Sequence, residues 1–357
     1  MVEGIAGFDL LLVGAVWVLA MLASTVLVTL AYALYVDRRE RRNERVTEAV
    51  RTGVFDRLGR DVPGWTDWVD TLDDAERRAL RAFLRDHLDM VKGTEARKLQ
   101  SLGRAMGLDE WARDLLTEGY PHQRLLALDW LALLGTRVPP SLLVEKCIGV
   151  PELEAAAAQL LFVDDPNADR EPATDLLLTS GTPLSVRGMD ALYRLYELDP
   201  GRLLEYAADR SADWEPRLVA QVLEVLAQCS TVDPDTPLEW LVAQVEHDDP
   251  AVRTATLAVL RDYDWRPDVR SAVDLNRVTT DPAASVRTSA YRLIGAWGGE
   301  DSLAVLRAAV RTEPNDRARI EGVRVLVERG DRQAIPTDPT IDRAQAWVEA
   351  NAALAGP

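Results

Sequence analysis

Arginine recurs at equivalent positions along the chain, and it is the residue type here best suited to pairing with acidic groups. Four arginines each follow a proline-containing turn and precede a run of small and apolar residues, and two more lie near the same position in less regular copies. A guanidinium can hold a carboxylate or a phosphate through two parallel hydrogen bonds. The candidates are Arg124, Arg187, Arg217, Arg253, Arg287 and Arg319.

Acidic residues recur in phase with these arginines. Asp249 stands four residues before Arg253, and Asp281 stands six residues before Arg287. Both aspartates are followed directly by a proline. We favour the interpretation that each arginine pairs with the acid of a neighbouring turn and so joins one repeat to the next. The alternative, a basic stripe that binds carboxylates or phosphates of a partner, stays open because a guanidinium binds both in the same way.

Two tryptophans are candidates for exposed contacts with a partner. Trp265 and Trp297 each stand near the end of a predicted helix. Most of the other tryptophans fall at predicted repeat interfaces or turns, where they would pack internally. Exposed tryptophan is enriched among the residues that dominate binding energy at protein interfaces, so these two are the tryptophans we name as candidate exposed contacts.

The sequence carries no motif for catalysis, a cofactor or a metal ion. Its three histidines and two cysteines are too few and too widely spaced for a metal site. A Gly-rich phosphate loop and a Gly-x-Ser-x-Gly motif are also absent. With 41 basic and 58 acidic residues the net charge is −17, which disfavours nucleic acid as a partner. We therefore predict a protein that is not an enzyme and has no catalytic, cofactor-binding or metal-binding residues.

Pairs of helices must position the arginines. A turn with an acid and a proline starts a helix, because proline in the first turn has no N–H to lose. Apolar residues four, six and seven positions after Arg253 then form one buried stripe at helical period. Arg253, Arg287 and Arg319 lie 34 and 32 residues apart, which is the spacing of a repeated helix pair.

The motif Asp249-Pro250-Ala251-Val252-Arg253 resembles the HEAT-repeat family, in particular its short, phycobilin-lyase-like repeats. The resemblance covers about residues 109–330 and is strongest at 236–298. It implies an all-α fold, an α-solenoid whose second helices line a concave face against which partners, usually proteins, lie. The chain departs from the pattern at Glu154, which stands in an arginine position. More distantly, the arrangement resembles proteins that accompany membrane-bound glycosyltransferases, which implies such an enzyme as a partner.

The N-terminal stretch 10–36 has no charged residue and is long enough for one transmembrane helix. Arginines follow it at once, so the positive-inside rule places the N-terminus outside and the rest of the chain in the cytoplasm. Ala20 and Ser24 form a small-xxx-small pair through which two anchors could make a homodimer. The sequence thus predicts a single-pass membrane protein with a cytoplasmic domain.

These patterns divide the chain into five segments. They are a transmembrane anchor at 1–36, a charged juxtamembrane helix at 37–64, a helical N-terminal cap at 65–108, a HEAT-like array at 109–330 and a C-terminal capping helix at 331–357. The predicted function is a membrane-anchored scaffold that binds proteins. The alternative is a lyase-like or other cofactor-handling enzyme that uses the concave groove. A long shallow groove would favour the scaffold, and a deep apolar pocket with converging polar groups would favour the enzyme.

Overall fold

The structure is a computed structural model that describes residues 44–162, 170–229, 232–331 and 339–352, together with scattered residues between 17 and 37. Within these ranges the chain is helical, and no β-strand occurs among the described residues. The predicted all-α class is therefore confirmed.

The first helical stretch covers residues 44–58. Two short 3-10 turns lie at Ser211–Asp213 and Gln244–Glu246. The α-helices that follow the first stretch are α1 (Trp65–Asp70), α2 (Asp74–Leu88), α3 (Thr94–Ala105), α4 (Leu108–Glu118), α5 (Pro121–Leu133), α6 (Pro140–Cys147), α7 (Pro151–Phe162), α8 (Glu171–Leu178), α9 (Val186–Tyr196), α10 (Pro200–Arg210), α11 (Pro216–Leu226), α12 (Glu239–Ala243), α13 (Pro250–Leu260), α14 (Pro267–Ala272), α15 (Leu275–Thr279), α16 (Ala284–Trp297), α17 (Glu300–Thr312), α18 (Asp316–Glu328) and α19 (Pro339–Ala352).

Proline starts several of these helices, but the two Asp-Pro turns differ. Pro250 begins α13, and the carboxylate of Asp249 accepts a hydrogen bond from the N–H of Ala251 at 2.7 Å, which caps the helix. The next copy departs from the prediction, because α16 begins only at Ala284, two residues after Pro282. The turn around Asp281 is longer, and this extra length brings Arg287 to the same place on its helix as Arg253.

Two compact units make up the chain, the first consisting of Met1–Asp114 with Leu133–Thr136. In its described part, α1 and α2 each pack against α3. Leu80, Leu84 and Leu102 are fully buried there. The ammonium of Lys98 donates to the carbonyl oxygens of Leu58 and Arg60, each at 2.8 Å, and so holds the end of the helical stretch 44–58 against α3.

The second unit consists of Leu115–Ala132 with Arg137–Pro357. Its helices α11, α13, α16, α18 and α19 pack each against the next in chain order, while α15 and α17 lie beside α16. Tyr291, Ile294 and Leu326 are among the fully buried residues of the core that α16, α17 and α18 share. The helices that carry Arg253, Arg287 and Arg319 are therefore direct neighbours.

Gly322 allows α18 to approach α16 and α17 closely. A Cβ atom at this position would lie 2.4 Å from Cγ2 of Val310 and 3.3 Å from Cδ2 of Tyr291. We expect Gly322→Ala to lower the free energy of unfolding by about 1–3 kcal/mol, because a well-packed core does not accept an added methyl group without shifts. Gly59→Ala is the matched control, since nothing lies within 4 Å of its added Cβ. Urea unfolding of both variants measures the difference, and equal midpoints would contradict the packing described.

The predicted membrane localisation is contradicted. Within the described part of the chain, no helix has the length and apolar character that crossing a bilayer needs. A span requires about 20 consecutive apolar residues, whereas α2, one of the longer described helices, has 15 residues and is rich in charge. The stretch 10–36, on which the prediction of an anchor and a cytoplasmic domain rested, lies mostly outside the described residues, and so does Ala20 of the proposed dimer contact.

Candidate functional site

Arg253 on α13 binds both the turn before its helix and the next turn of the repeat, which contains Asp281. Its Nε and Nη2 groups donate to the two carboxylate oxygens of Asp281 at 2.8 and 3.0 Å. Its Nη1 group donates to the carbonyl oxygens of His247 and Asp248 at 2.7 and 2.9 Å. Both side chains of the ion pair are largely buried, with 14% and 11% of their surfaces exposed. The carboxylate of Asp281 also accepts from the N–H of Ala283 at 2.8 Å, so it holds its own turn as well.

Arg287 on α16 repeats this arrangement with a glutamate. Its Nε and Nη2 groups donate to the carboxylate of Glu313 at 2.8 and 2.6 Å, and its Nη1 group donates to the carbonyl oxygen of Asp281 at 2.7 Å. The hydroxyl of Tyr291 and the N–H of Asn315 donate to the same carboxylate at 2.6 and 2.8 Å. Burial alone would raise the pKa of Glu313, but these donors together hold its pKa below the ordinary value.

Arg319 on α18 shares one part of this arrangement, the binding of a carbonyl oxygen in the turn before its helix. Its Nε and Nη2 groups donate to the carbonyl oxygen of Glu313, the former at 3.1 Å, and its Nη1 group donates to the exposed carboxylate of Asp316 at 3.0 Å. We name Arg253, Arg287 and Arg319, with the acids Asp281 and Glu313, the arginine ladder. In each step a guanidinium binds carbonyl oxygens of the turn before its own helix, and in the first two it also binds the acid of the following turn.

Asp249 and Arg217 stand outside the ladder. The carboxylate of Asp249 caps α13 rather than binding Arg253, because the acid that Arg253 reaches belongs to the turn after its helix. The ladder position before Asp249 is not filled by Arg217, which directly follows Pro216 in the first turn of α11 and is exposed. The irregular spacing around Pro216 in the sequence thus corresponds to an interrupted ladder.

Arg124 and Arg187 make ties of other kinds. Arg124 on α5 donates from Nη1 to the carbonyl oxygen of Lys146 at the end of α6, at 3.0 Å. Arg187 on α9 reaches back along the chain, donating to the carboxylate of Asp129 at 2.9 Å and to the amide oxygen of Gln159 at 2.8 Å. Both side chains join neighbouring elements, but neither pairs with the acid of the following turn.

Glu154, which replaces the arginine in its repeat, is buried on α7 with 3% of its surface exposed. Burial raises the pKa of its carboxyl, the N–H of Gly149 opposes this by donating at 2.9 Å, and the charge of Glu152 adds to it. A carboxylate at this place cannot bind carbonyl oxygens, so it accepts from a backbone N–H of the preceding turn instead.

The raised pKa of Glu154 predicts a pH dependence of stability. Between the ordinary value of 4.5 and the raised value, the folded state holds a proton that the unfolded state has released, so stability falls as pH rises through this window. We expect Glu154→Gln to be more stable than wild type at neutral pH, with a gap that narrows as pH approaches 4.5. Glu205→Gln, at an exposed position of α10, is the control. Denaturant unfolding over a pH series measures both, and a gap that does not change with pH would contradict the raised pKa.

The two candidate tryptophans differ in exposure. Trp265 has 42% of its surface exposed and lies beside the guanidinium of Arg266, 5.7 Å from its ring centroid. Trp297 was expected to be exposed, and this is wrong, because only 6% of its surface is exposed. Its indole N–H donates to the carbonyl oxygen of Leu260 at 3.1 Å, and Arg270 covers its ring at 5.7 Å. Trp297 therefore ties α16 to α13, which leaves Trp265 as the exposed member of the pair.

Two adjoining cavities open on one face of α13, α16 and α18. The first has a volume of about 550 Å³ and the second about 490 Å³. Arg292 and Glu321 line both. We name this surface the α13–α16–α18 face. Its further lining residues are Arg261, Gly295, Ala296, Arg324, Val325, Glu328 and Arg329 in the first cavity and Thr254, Ser285, Thr288, Ser289, Arg317, Ile320 and Trp347 in the second.

Glu321 organises the arginines of the first cavity. Its carboxylate accepts from Nε of Arg292 at 2.9 Å and from Nε and Nη2 of Arg324, the former at 3.3 Å. Burial would raise the pKa of Glu321, but the two guanidiniums hold its pKa below the ordinary value, so it is charged at neutral pH. Arg329 donates from Nε to the carbonyl oxygen of Gly295 at 2.6 Å. The guanidiniums thus have fixed positions at the rim of the cavity.

These cavity arginines were not singled out in the sequence, although a signal exists. Arg292 and Arg324 each stand five positions after a ladder arginine, Arg287 and Arg319. Positions that differ by five lie on different sides of a helix, so one arginine of each pair faces the neighbouring turn and the other faces the open surface. Comparing the positions five residues after each ladder arginine, in addition to the ladder positions themselves, would have predicted them.

Over the ranges that the structure describes, no cluster of three or more histidine, cysteine or acidic side chains is arranged to hold a metal ion. No protein-family model matches this chain, and no curated protein matches it significantly. The HEAT resemblance therefore stays a prediction from the motif residues.

Proposed function

We propose that this protein is a scaffold of HEAT-like repeats, arranged as an α-solenoid, that binds a partner protein on the α13–α16–α18 face. The observation that carries the proposal is the succession of α11, α13, α16 and α18, each packed against the next, with the ladder on one side and two adjoining cavities on another. Repeated helices that contact only their neighbours form extended surfaces, and such surfaces commonly bind proteins.

The character of the cavities favours a scaffold over a lyase-like enzyme. Small-molecule sites are mostly apolar, with a few convergent polar groups. The first cavity is lined by four arginines and two glutamates, and the second, whose surface is mainly apolar, also carries Arg292, Arg317 and Glu321. Charged and hydroxyl groups spread along an open surface suit a protein segment better than a buried cofactor.

The experiment is capture of partners from the source cells with the tagged full-length chain, followed by mass spectrometry. We expect one or a few proteins to copurify at stoichiometric levels with wild type. Ser285→Trp, which fills the second cavity from an exposed position, should remove them without a change in melting temperature. Arg311→Gln, on the exposed surface of α17, is the control that should keep them. A glycosyltransferase among these proteins would agree with the distant resemblance, and equal capture by Ser285→Trp would contradict the proposed face.

A further inference from the structure

The first cavity is a basic site on a strongly acidic protein. Four arginines and two glutamates line it, whereas the whole chain carries a net charge of −17. Glu321 is already shared by two guanidiniums, and only 12% of its side chain is exposed, so its charge is neutralised from within. An acidic ligand would therefore meet an excess of guanidinium groups at this place.

The guanidiniums are accessible and held in position. Arg261 has 43% and Arg292 has 50% of its side chain exposed, and each uses Nε for an acid of this chain, Asp262 and Glu321 respectively. Within the described part of the chain, these contacts leave the terminal Nη groups at the cavity. Because a guanidinium that is already positioned loses less side-chain entropy on binding, such a pair is suited to carboxylates.

The second cavity extends the site beyond a single ion. It continues from the first through Arg292 and Glu321, and its surface is mainly apolar. Arg317, four hydroxyl side chains, Ile320 and Trp347 line the rest of it, and 54% of Trp347 is exposed. Each of the two cavities, at about 550 and 490 Å³, falls within the range of pockets that hold drug-sized ligands. A ligand that fills both must carry acidic groups at one end and an apolar group at the other.

We propose that the α13–α16–α18 face binds an extended acidic segment of a partner protein, with carboxylates at Arg261 and Arg292 and an apolar side chain against Ile320 and Trp347. This inference rests on the proposed protein-binding function and specifies the chemistry of the partner. A nucleic acid fits less well, because the overall negative charge repels its backbone and Glu328 stands at the cavity.

The test selects peptides from a random library displayed on phage against the full-length protein. We expect the enriched peptides to combine several Asp or Glu residues with an apolar or aromatic residue. A fluorescein-labelled synthetic copy should bind Arg261→Gln/Arg292→Gln at least about tenfold more weakly than wild type, and added salt should weaken its binding to wild type. Arg311→Gln should bind like wild type. If the double variant has a lower melting temperature, Arg261→Gln alone serves instead, because it leaves the largely buried Glu321 with both its arginine partners.

The possible outcomes separate this inference from the proposed function. Enriched peptides without an acidic bias that lose binding to Ser285→Trp would overturn the acidic partner and keep the protein-binding face. Peptides that bind Ser285→Trp as well as wild type would overturn both. Displacement of the labelled peptide by inorganic phosphate alone, or equal binding of a single-stranded RNA oligonucleotide, would show a general anion site and also overturn the inference.

Discussion

Arg287→Ala is expected to lower the free energy of unfolding by about 3–5 kcal/mol, because it leaves a buried carboxylate without its cation. Glu313 has 0% of its side chain exposed, and Arg287 supplies two of the hydrogen bonds to it. Denaturant unfolding followed by circular dichroism measures the loss. Arg253→Ala should cost less, about 1–3 kcal/mol, because 11% of the side chain of its partner Asp281 is exposed, against 0% for Glu313, so water can replace part of the lost contact.

A double variant and the pH dependence of stability test the cause of that loss. Arg287→Met/Glu313→Leu should recover much of the stability, because apolar side chains of similar size often replace a buried ion pair without cost. The lowered pKa of Glu313 also predicts how this loss depends on pH. The wild-type protein should have its full stability advantage over Arg287→Ala above pH 4.5, the ordinary pKa of a glutamate. The advantage should disappear as pH falls through the lower pKa of the folded state. An Arg287→Ala protein as stable as the exposed control Arg311→Ala would show that the ladder does not hold these helices together.

Trp297→Ala is expected to lower the free energy of unfolding by about 3–5 kcal/mol, the usual range for removing a buried tryptophan. Its ring is covered by Arg270, and its N–H is bonded to the carbonyl oxygen of Leu260, so the change leaves a cavity and removes one of the hydrogen bonds that this oxygen accepts. Trp265→Ala is the matched control, because 42% of Trp265 is exposed and its loss should change stability by about 0.5–1 kcal/mol.

Partner capture by the same two variants is the second readout. Trp297→Ala should affect capture only in proportion to the fraction unfolded. A folded, stable Trp297→Ala protein that no longer captures its partner would restore the interpretation of this residue as an exposed contact.

The sequence predicted the helical class, the start of α13 at Pro250 and the arginines of the ladder. It did not predict which acid each arginine reaches, because that depends on the offset between neighbouring helices rather than on spacing within one of them. Asp249 and Asp281 look alike in the sequence, yet Asp249 caps a helix and Asp281 binds Arg253. Glu313 was harder to predict, since only packing against Tyr291 shows that a glutamate can take the place of the aspartate.

Burial and surface chemistry were the least predictable features. Trp265 and Trp297 occupy similar places in the sequence, but only the carbonyl of Leu260 and the guanidinium of Arg270 decide that the second one is covered. Likewise, Arg292 and Arg324 become a site only through the shared carboxylate of Glu321, which lies on a different helix from Arg292. Such features arise between helices, where periodicity within one helix carries no information.

Each ladder acid binds both an arginine of the preceding helix and a backbone N–H of its own turn, so local unfolding has a preferred direction. When the turn of Glu313 opens, Arg287 loses its carboxylate while its guanidinium is still buried, so α16 is weakened from the C-terminal side. When α13 opens instead, Asp281 keeps its bond to the N–H of Ala283 and the following turn stays closed. Local unfolding should therefore spread toward the N-terminus more readily than toward the C-terminus.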